Sequence, residues 1–276
     1  MLDQTMSLAQ EFDLVWHTHV QETKSQACTA QDRHGHSFVQ YLAKRGLLGP
    51  RTSIVHGVWL DAPDISVLEA TGCNMIHCPA SNLRLGDGVS PVPSLRRHHV
   101  NMGLGTDGRG CCERLDMLEL ARLTGTLHKV WGQDYTEWIT AADAHAMATE
   151  GGARCLGLEG EVGSIATGAW ADLLLVDLQS LAFLPRHDFI RQFIYGSDSG
   201  DLRAVIVGGR IVVDHGRVTT IDEASLRNDI ASLTVARTGA DEPDAAAVAM
   251  RSMVGELWRE CERRQFPVRS YLGPLP

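Results

Sequence analysis

Three places in the chain combine ligand-type side chains with a position where chemistry can be built. His19 lies near the end of an apolar run, with Glu22 three residues later; His56 lies near the end of a second run; Asp107 follows a third. Neutral imidazole and carboxylate suit a divalent cation that keeps an open coordination position. A second carboxylate nearby, such as Glu22, can carry a proton to or from a reacting group. Taken singly, a histidine at a strand end is more often a structural residue. Four such groups on three predicted strands, all at C-terminal ends, instead point to one site, because loops beyond those ends of a parallel sheet converge on one crevice. Twelve histidines in 276 residues enlarge the set of candidates. His77, at a strand end on the same edge, could face substrate or be structural. Trp59 could stack on a ring substrate or belong to the core.

The elements that must position these groups follow from periodicity and punctuation. The pattern predicts a helix over 1–10, a strand over 12–20, a polar loop over 22–36 that contains His34 and His36, and an amphipathic helix over 37–48 stopped by Gly49-Pro50. A strand over 53–58 precedes a helix opened by Asp61, with Pro63 in its first turn, and closed at Gly72. A strand over 74–77, a Gly/Pro/Asn-rich loop, a short helix over 94–98 and a strand over 100–105 come next. Helices over 114–130 and 141–155 complete the first part, the latter ended at Gly157. Apolar strands alternating with helices predict a parallel sheet covered by helices. Beyond that, a strand within 170–176 and a hairpin over 203–213 predict a small antiparallel sheet. The tail over 223–264 has a helical rhythm broken around Gly239 and Pro243.

Composition narrows the function class. The formal net charge is −9 and the pI about 5.7, which argues against a general hold on nucleic acid or on an anionic membrane surface. No apolar run approaches the roughly 18 residues of a bilayer span. Asp3, Glu11 and Asp13 stand where a signal peptide would be basic and then apolar, so a cytoplasmic protein with a small-molecule substrate is expected. Seven scattered cysteines read as free thiols.

Four strings carry a resemblance: His19 to Thr23; Ile54 to Val58; His77-Cys78-Pro79-Ala80-Ser81-Asn82-Leu83-Arg84-Leu85-Gly86; and Gly103 to Gly108. Together they resemble the amidohydrolase superfamily, in the chlorohydrolase/deaminase branch that includes triazine hydrolases, guanine deaminase and methylthioadenosine deaminase. The resemblance spans roughly residues 1–222. It implies that His19 and Asp107 bind one divalent metal, Zn²⁺ or else Fe²⁺. It further implies that Glu22 shuttles a proton, that His56 contacts substrate or water, and that Asp107 also takes the proton of the attacking water. The implied activity is metal-dependent hydrolysis of a non-peptide carbon–nitrogen bond, as in an aminohydrolase of a nitrogen heterocycle.

One departure shapes the expected architecture. The family's site also uses a His-x-His pair on the first strand of a (β/α) barrel. His17-Thr18-His19 has that form, but only 88 positions separate His19 from Asp107, whereas a full barrel takes about 250 residues. His19 therefore falls on the equivalent of strand five. The expected fold is α/β: a partial TIM-type barrel of strands five to eight over 1–160, a β-sandwich remnant over 161–222 and a helical tail over 223–276. Such a half barrel is expected to form a homo-oligomer or to meet a partner supplying the N-terminal half. The alternative is a truncated non-catalytic subunit or pseudoenzyme without the first-strand ligands. After Asp107 the chain reads Arg109-Gly110-Cys111-Cys112, expected as a loop with two buried cysteines.

Overall fold

The structure, a computed structural model, describes residues 2–130, 134–235, 245–266 and 268. Helix α1 (Leu2–Glu11) leads into β1 (Trp16–Val20), followed by α2 (Lys24–His34) and α3 (Phe38–Lys44). Strand β2 (Thr52–His56) feeds α4 (Ala62–Thr71), and β3 (Asn74–His77) feeds α5 (Pro79–Leu85) and α6 (Val92–Arg97). Strand β4 (Met102–Leu104) is followed by α7 (Arg109–Cys112) and α8 (Met117–Leu127). The four strands form one parallel sheet in chain order, with β1 and β4 at its edges. No closed barrel forms among the described residues.

Register explains the two faces of this sheet. His17 lies beside Ser53, His19 beside Val55, Val55 beside Ile76 and Ile76 beside Gly103. Strand alternation puts these residues on one face, and on β1 that face is exposed at His17 and His19. Trp16, Val20, Ile54, Met75 and Met102 occupy the opposite face and are buried in the main apolar cluster with Leu42, Leu68, Leu95 and Leu120 from the helices. At roughly 25 cal/mol per Å² of apolar surface, that covered face is the principal source of stability.

A run over 141–155 crosses β4. It begins as α9 (Ala141–Ala146), widens into a π-helical turn (Met147–Gly151) and ends as α10 (Gly152–Cys155). Its glycines permit close approach: a Cβ on Gly151 would lie 2.1 Å from the Met102 carbonyl oxygen, and one on Gly103 would lie 3.1 Å from the Gly152 Cα. A second, antiparallel sheet follows, β5 (Leu173–Val176), β6 (Leu202–Val207), β7 (Arg210–Asp214) and β8 (Arg217–Val218), with α11 (Phe189–Gly196) inserted between β5 and β6. Phe183, Phe193 and Ile194 from this segment are buried in the same core as the parallel sheet. Helices α12 (Glu223–Val235) and α13 (Ala245–Arg263) form the tail; the predicted break at Gly239–Pro243 lies outside the described residues. No described helix is long and apolar enough to cross a membrane.

Several elements differ from expectation. The stretch over 22–36 is not a loop: Thr23 caps α2 by accepting from the Gln26 amide, and Gly35 ends it at φ 72°. The Gly/Pro/Asn-rich loop after His77 contains α5, with Pro79 at its start and Gly86 as a left-handed cap. The first strand begins at Trp16 rather than residue 12, since the chain turns at Asp13 with φ 50°. Cys111 and Cys112 lie on α7 and are half-buried, not core thiols.

Candidate metal centre and active site

The C-terminal ends of the parallel strands carry unusual backbone. Gln21, His56 and Asp107 have φ values of 55°, 73° and 60°, a region that side-chain-bearing residues seldom adopt and that concentrates at functional sites. The kinks turn side chains away from simple strand alternation. As a result one ligand atom from each of His19, His56 and Asp107 lies within 4.8 Å of the others. The expected pairing of His19 with Asp107 is thus present in space, and His56 joins it as a third potential donor. The His19 and His56 rings stack with centroids 5.2 Å apart.

Each member is oriented by neighbours. The His56 ring is fully buried, and its Nδ1 lies 2.8 Å from Asn82 Oδ1. With Nδ1–H donating to that oxygen, Nε2 is left as a lone pair, and it has no hydrogen-bond partner among the described residues. An orphaned buried acceptor beside an imidazole and a carboxylate fits a cation; the donor set is two nitrogens and an oxygen. Glu22 Oε1 approaches His56 Nε2 at 3.7 Å. Gln26 clasps Glu22 from both sides: its Oε1 accepts from the Glu22 amide at 3.0 Å and its Nε2 donates to Glu22 Oε2 at 3.3 Å. Asp107 accepts from Ser81 Oγ at 2.5 Å and from the Gly108 amide at 2.6 Å. Burial pushes the Asp107 carboxyl up, but these hydrogen bonds, the nearby His56 and the Cys111 thiol outweigh it and hold the group below the usual carboxylate range. Asp107 is therefore a ready anionic ligand.

The other candidates separate. His77 is fully buried with neither ring nitrogen hydrogen-bonded among the described residues, and its ring lies 5.3 Å from that of His128. Burial, then His128 and His56, keeps it neutral, well below the ordinary histidine range. Trp59 is 2% exposed. Phe266 meets its ring edge-on at 5.8 Å, the Lys24 ammonium sits 5.6 Å from its centroid, and its Nε1 donates to the Asp87 carbonyl at 3.0 Å. Its packing is that of a core residue, with no face open to stack on a ring substrate. His34 stacks on Tyr41 at 4.0 Å rather than lying in a loop. A cavity of about 380 Å³ opens beside His19, bounded by Gln21, Arg33, Phe38 and Leu257. Ser81, Asn82 and Gln26 are the residues that sequence reasoning passed over. The first two stand inside the string from His77 to Gly86, and their spacing from a helix cap was the available signal.

Comparison with known proteins agrees with the fold. The model of the Amidohydrolase family matches residues 1–212. The chain belongs to the amidohydrolase family. It is 36% identical over 223 residues to a 5'-deoxyadenosine deaminase of Methanothermobacter thermautotrophicus, covering 81% of this chain and 52% of that one. It is 34% identical to a 5-methylthioadenosine/S-adenosylhomocysteine deaminase of Acetivibrio thermocellus, covering 83% and 53%. Among solved structures it superposes on an adenosine deaminase from Xanthomonas campestris with bound zinc, with a TM-score of 0.80, 32% identity and coverage of 84% and 52%. It also superposes on the atrazine chlorohydrolase TrzN of Arthrobacter aurescens complexed with zinc, with a TM-score of 0.77, 25% identity and coverage of 83% and 50%. The chain spans about half the length of the relatives it matches.

Proposed function

We propose that this amidohydrolase chain carries the ligand and proton-transfer residues of a metal-dependent aminohydrolase that removes an amino group from a nitrogen heterocycle. The observation that carries the reading is the convergence of His19, His56 and Asp107 within 4.8 Å, with Glu22 at 3.7 Å from His56. His19 and Asp107 would hold the cation, with His56 Nε2 either completing the set or contacting substrate. A bound Zn²⁺, with Fe²⁺ as the alternative, would supply Lewis acidity and bring the acidity of water toward a pKa of about 7.

The chain's own residues divide the remaining work. Ser81 and the Gly108 amide fix both Asp107 oxygens, so the carboxylate presents a defined lone pair and can accept a proton from water. Asn82 fixes the proton of His56 on Nδ1, which keeps Nε2 available toward the hollow. Glu22, steadied by Gln26, stands where it can pass a proton to a ring nitrogen and then to the leaving amine.

The test is ammonia release by the zinc-loaded full chain from adenosine, 5'-methylthioadenosine, guanine and related amino-heterocycles, alongside the Glu22→Gln variant. Turnover by the wild type and a fall of about 10²–10⁴ in kcat for the variant, with zinc content unchanged, are expected. Zinc bound at one equivalent with no ammonia from any of these compounds would refute the reading.

A further inference from the structure

We propose that Cys28 and Cys261 form a redox-sensitive pair, joined by exchange with a small-molecule disulfide into a bond that staples the C-terminal helix α13 onto α2. Both thiols are free in the structure and both are buried. Of the described residues of α13, Cys261 alone is buried, so the helix makes its one closed contact there. The element it packs against is α2, with Cα separations between the two helices of 8 Å or less.

Contacts on either side bracket the two thiols. Lys24, Ala27, Cys28 and Asp32 recur at helical spacing and form one stripe of α2. The other three members of that stripe all meet the tail. Lys24 Nζ donates to the Glu262 carbonyl at 3.1 Å and lies 3.7 Å from the Glu262 carboxylate. Ala27 belongs to the small apolar cluster against which Phe266 and Val268 pack. The Asp32 carboxylate accepts from both terminal nitrogens of Arg264, at 2.8 and 2.9 Å. Cys28 stands in the middle of the stripe, one turn from Lys24 and one turn from Asp32. Cys261 precedes Glu262, and its carbonyl accepts from the Arg264 amide at 3.1 Å. A disulfide joins Cα atoms roughly 4.4–6.8 Å apart, a separation within the range of this helix contact.

Burial, and then the Cys261 thiol, push the Cys28 thiol up to about 11. It is therefore protonated while α13 is docked, and the attacking thiolate arises when that helix lifts. A helix with one buried residue opens locally with little loss of contact. One thiolate then attacks the small-molecule disulfide, forming a mixed disulfide and releasing one small thiol. On redocking, the second cysteine displaces the other half. One S–S bond breaks and one forms, the protein gives up two electrons, and its two thiol protons leave on the two small thiols. The staple lies close to the candidate site. Leu257, one turn before Cys261, borders the cavity beside His19, and Gln26, two residues before Cys28, clasps Glu22.

The experiment treats the reduced full chain with oxidised glutathione, blocks the remaining thiols with N-ethylmaleimide and maps disulfides in unreduced peptides by mass spectrometry. Most chains are expected to carry an intramolecular Cys28–Cys261 link that dithiothreitol reverses. Because the link constrains the unfolded chain between residues 28 and 261, the melting temperature should rise by about 5 °C. Cys28→Ser and Cys261→Ser should each abolish both the link and the rise, with circular dichroism as the control for folding. The double variant Cys111→Ser/Cys112→Ser, which removes the two half-buried thiols, should still form the link. No link, glutathione retained as a mixed disulfide on either cysteine, or a different pair joined in place of this one would overturn the inference. So would a link that leaves the melting temperature unchanged or lowers it, since the thiols would then meet only in a distorted fold.

Discussion

Replacing Asn82 by alanine tests the claim that His56 is held ready for a cation. Asn82 is 1% exposed, and its Oδ1 is the partner of His56 Nδ1 at 2.8 Å. Without it, the fully buried imidazole has an N–H with no acceptor, a cost of about 1–3 kcal/mol. The ring can escape that cost by rotating or by moving its proton to Nε2, and either change competes with donation from Nε2. Since 1.4 kcal/mol is a factor of ten, zinc affinity should fall by about 5- to 150-fold, in line with the 10–100-fold that outer partners of metal ligands typically contribute. The backbone carbonyl of residue 82, which accepts from the Gly86 and Asp87 amides, is unaffected by the substitution, so the turn should persist. The assay is competition for zinc against a chromophoric chelator, with circular dichroism as the control for folding. Asn82→Asp keeps an acceptor at the same place and should retain affinity. A folded Asn82→Ala protein with wild-type affinity would show that the Asn82–His56 contact does not prepare a ligand.

Three further expectations concern the scaffold. Burial, opposed by hydrogen bonds from Ser37 and Gln40, raises Asp64 to about 6. Its protonated form is favoured in the fold, so its contribution is full below about pH 4 and is lost as pH rises through 6, by up to about 3 kcal/mol. Asp64→Asn should remove that part of the pH slope in urea unfolding between pH 4 and 7, and an unchanged slope would contradict the assignment. Gly151→Ala places a Cβ 2.1 Å from the Met102 carbonyl and should cost about 2–3 kcal/mol, seen as a lower melting temperature; an unshifted melt would mean that the π-helical turn yields freely. Phe266→Ala removes the edge-on contact with Trp59 and should cost about 1 kcal/mol with a shift in tryptophan emission, whereas unaltered emission would place residue 266 away from that ring.

How much of this was legible depended on whether the governing contact was local. Helix α4 was readable because its ends carry their own chemistry: Asp61 and Asp64 form a reciprocal capping box, and Gly72 closes the helix at φ 68°. Helix α2 has equally good caps but a weak apolar stripe, with only Ala27, Cys28 and Ala30 buried, so periodicity misread it as loop. Helix α5 was hidden by Pro79, Asn82 and Gly86, which look like turn residues although proline at the first helical position and glycine past the last are helix ends. The ligand groups themselves were visible as imidazoles and carboxylates beyond apolar runs. The bonds that Ser81 and Asn82 supply were not, because each spans 26 positions in sequence that no period encodes: Ser81 reaches Asp107 and Asn82 reaches His56 only once α5 has folded over the strand ends. Trp59 shows the same limit from the other side. Its position beyond a strand suggested a substrate platform, but Phe266, from the far end of the chain, packs perpendicular to its ring and Lys24 lies over that ring. A residue's type thus announced what it could do, and its distant neighbours decided whether the chance was taken.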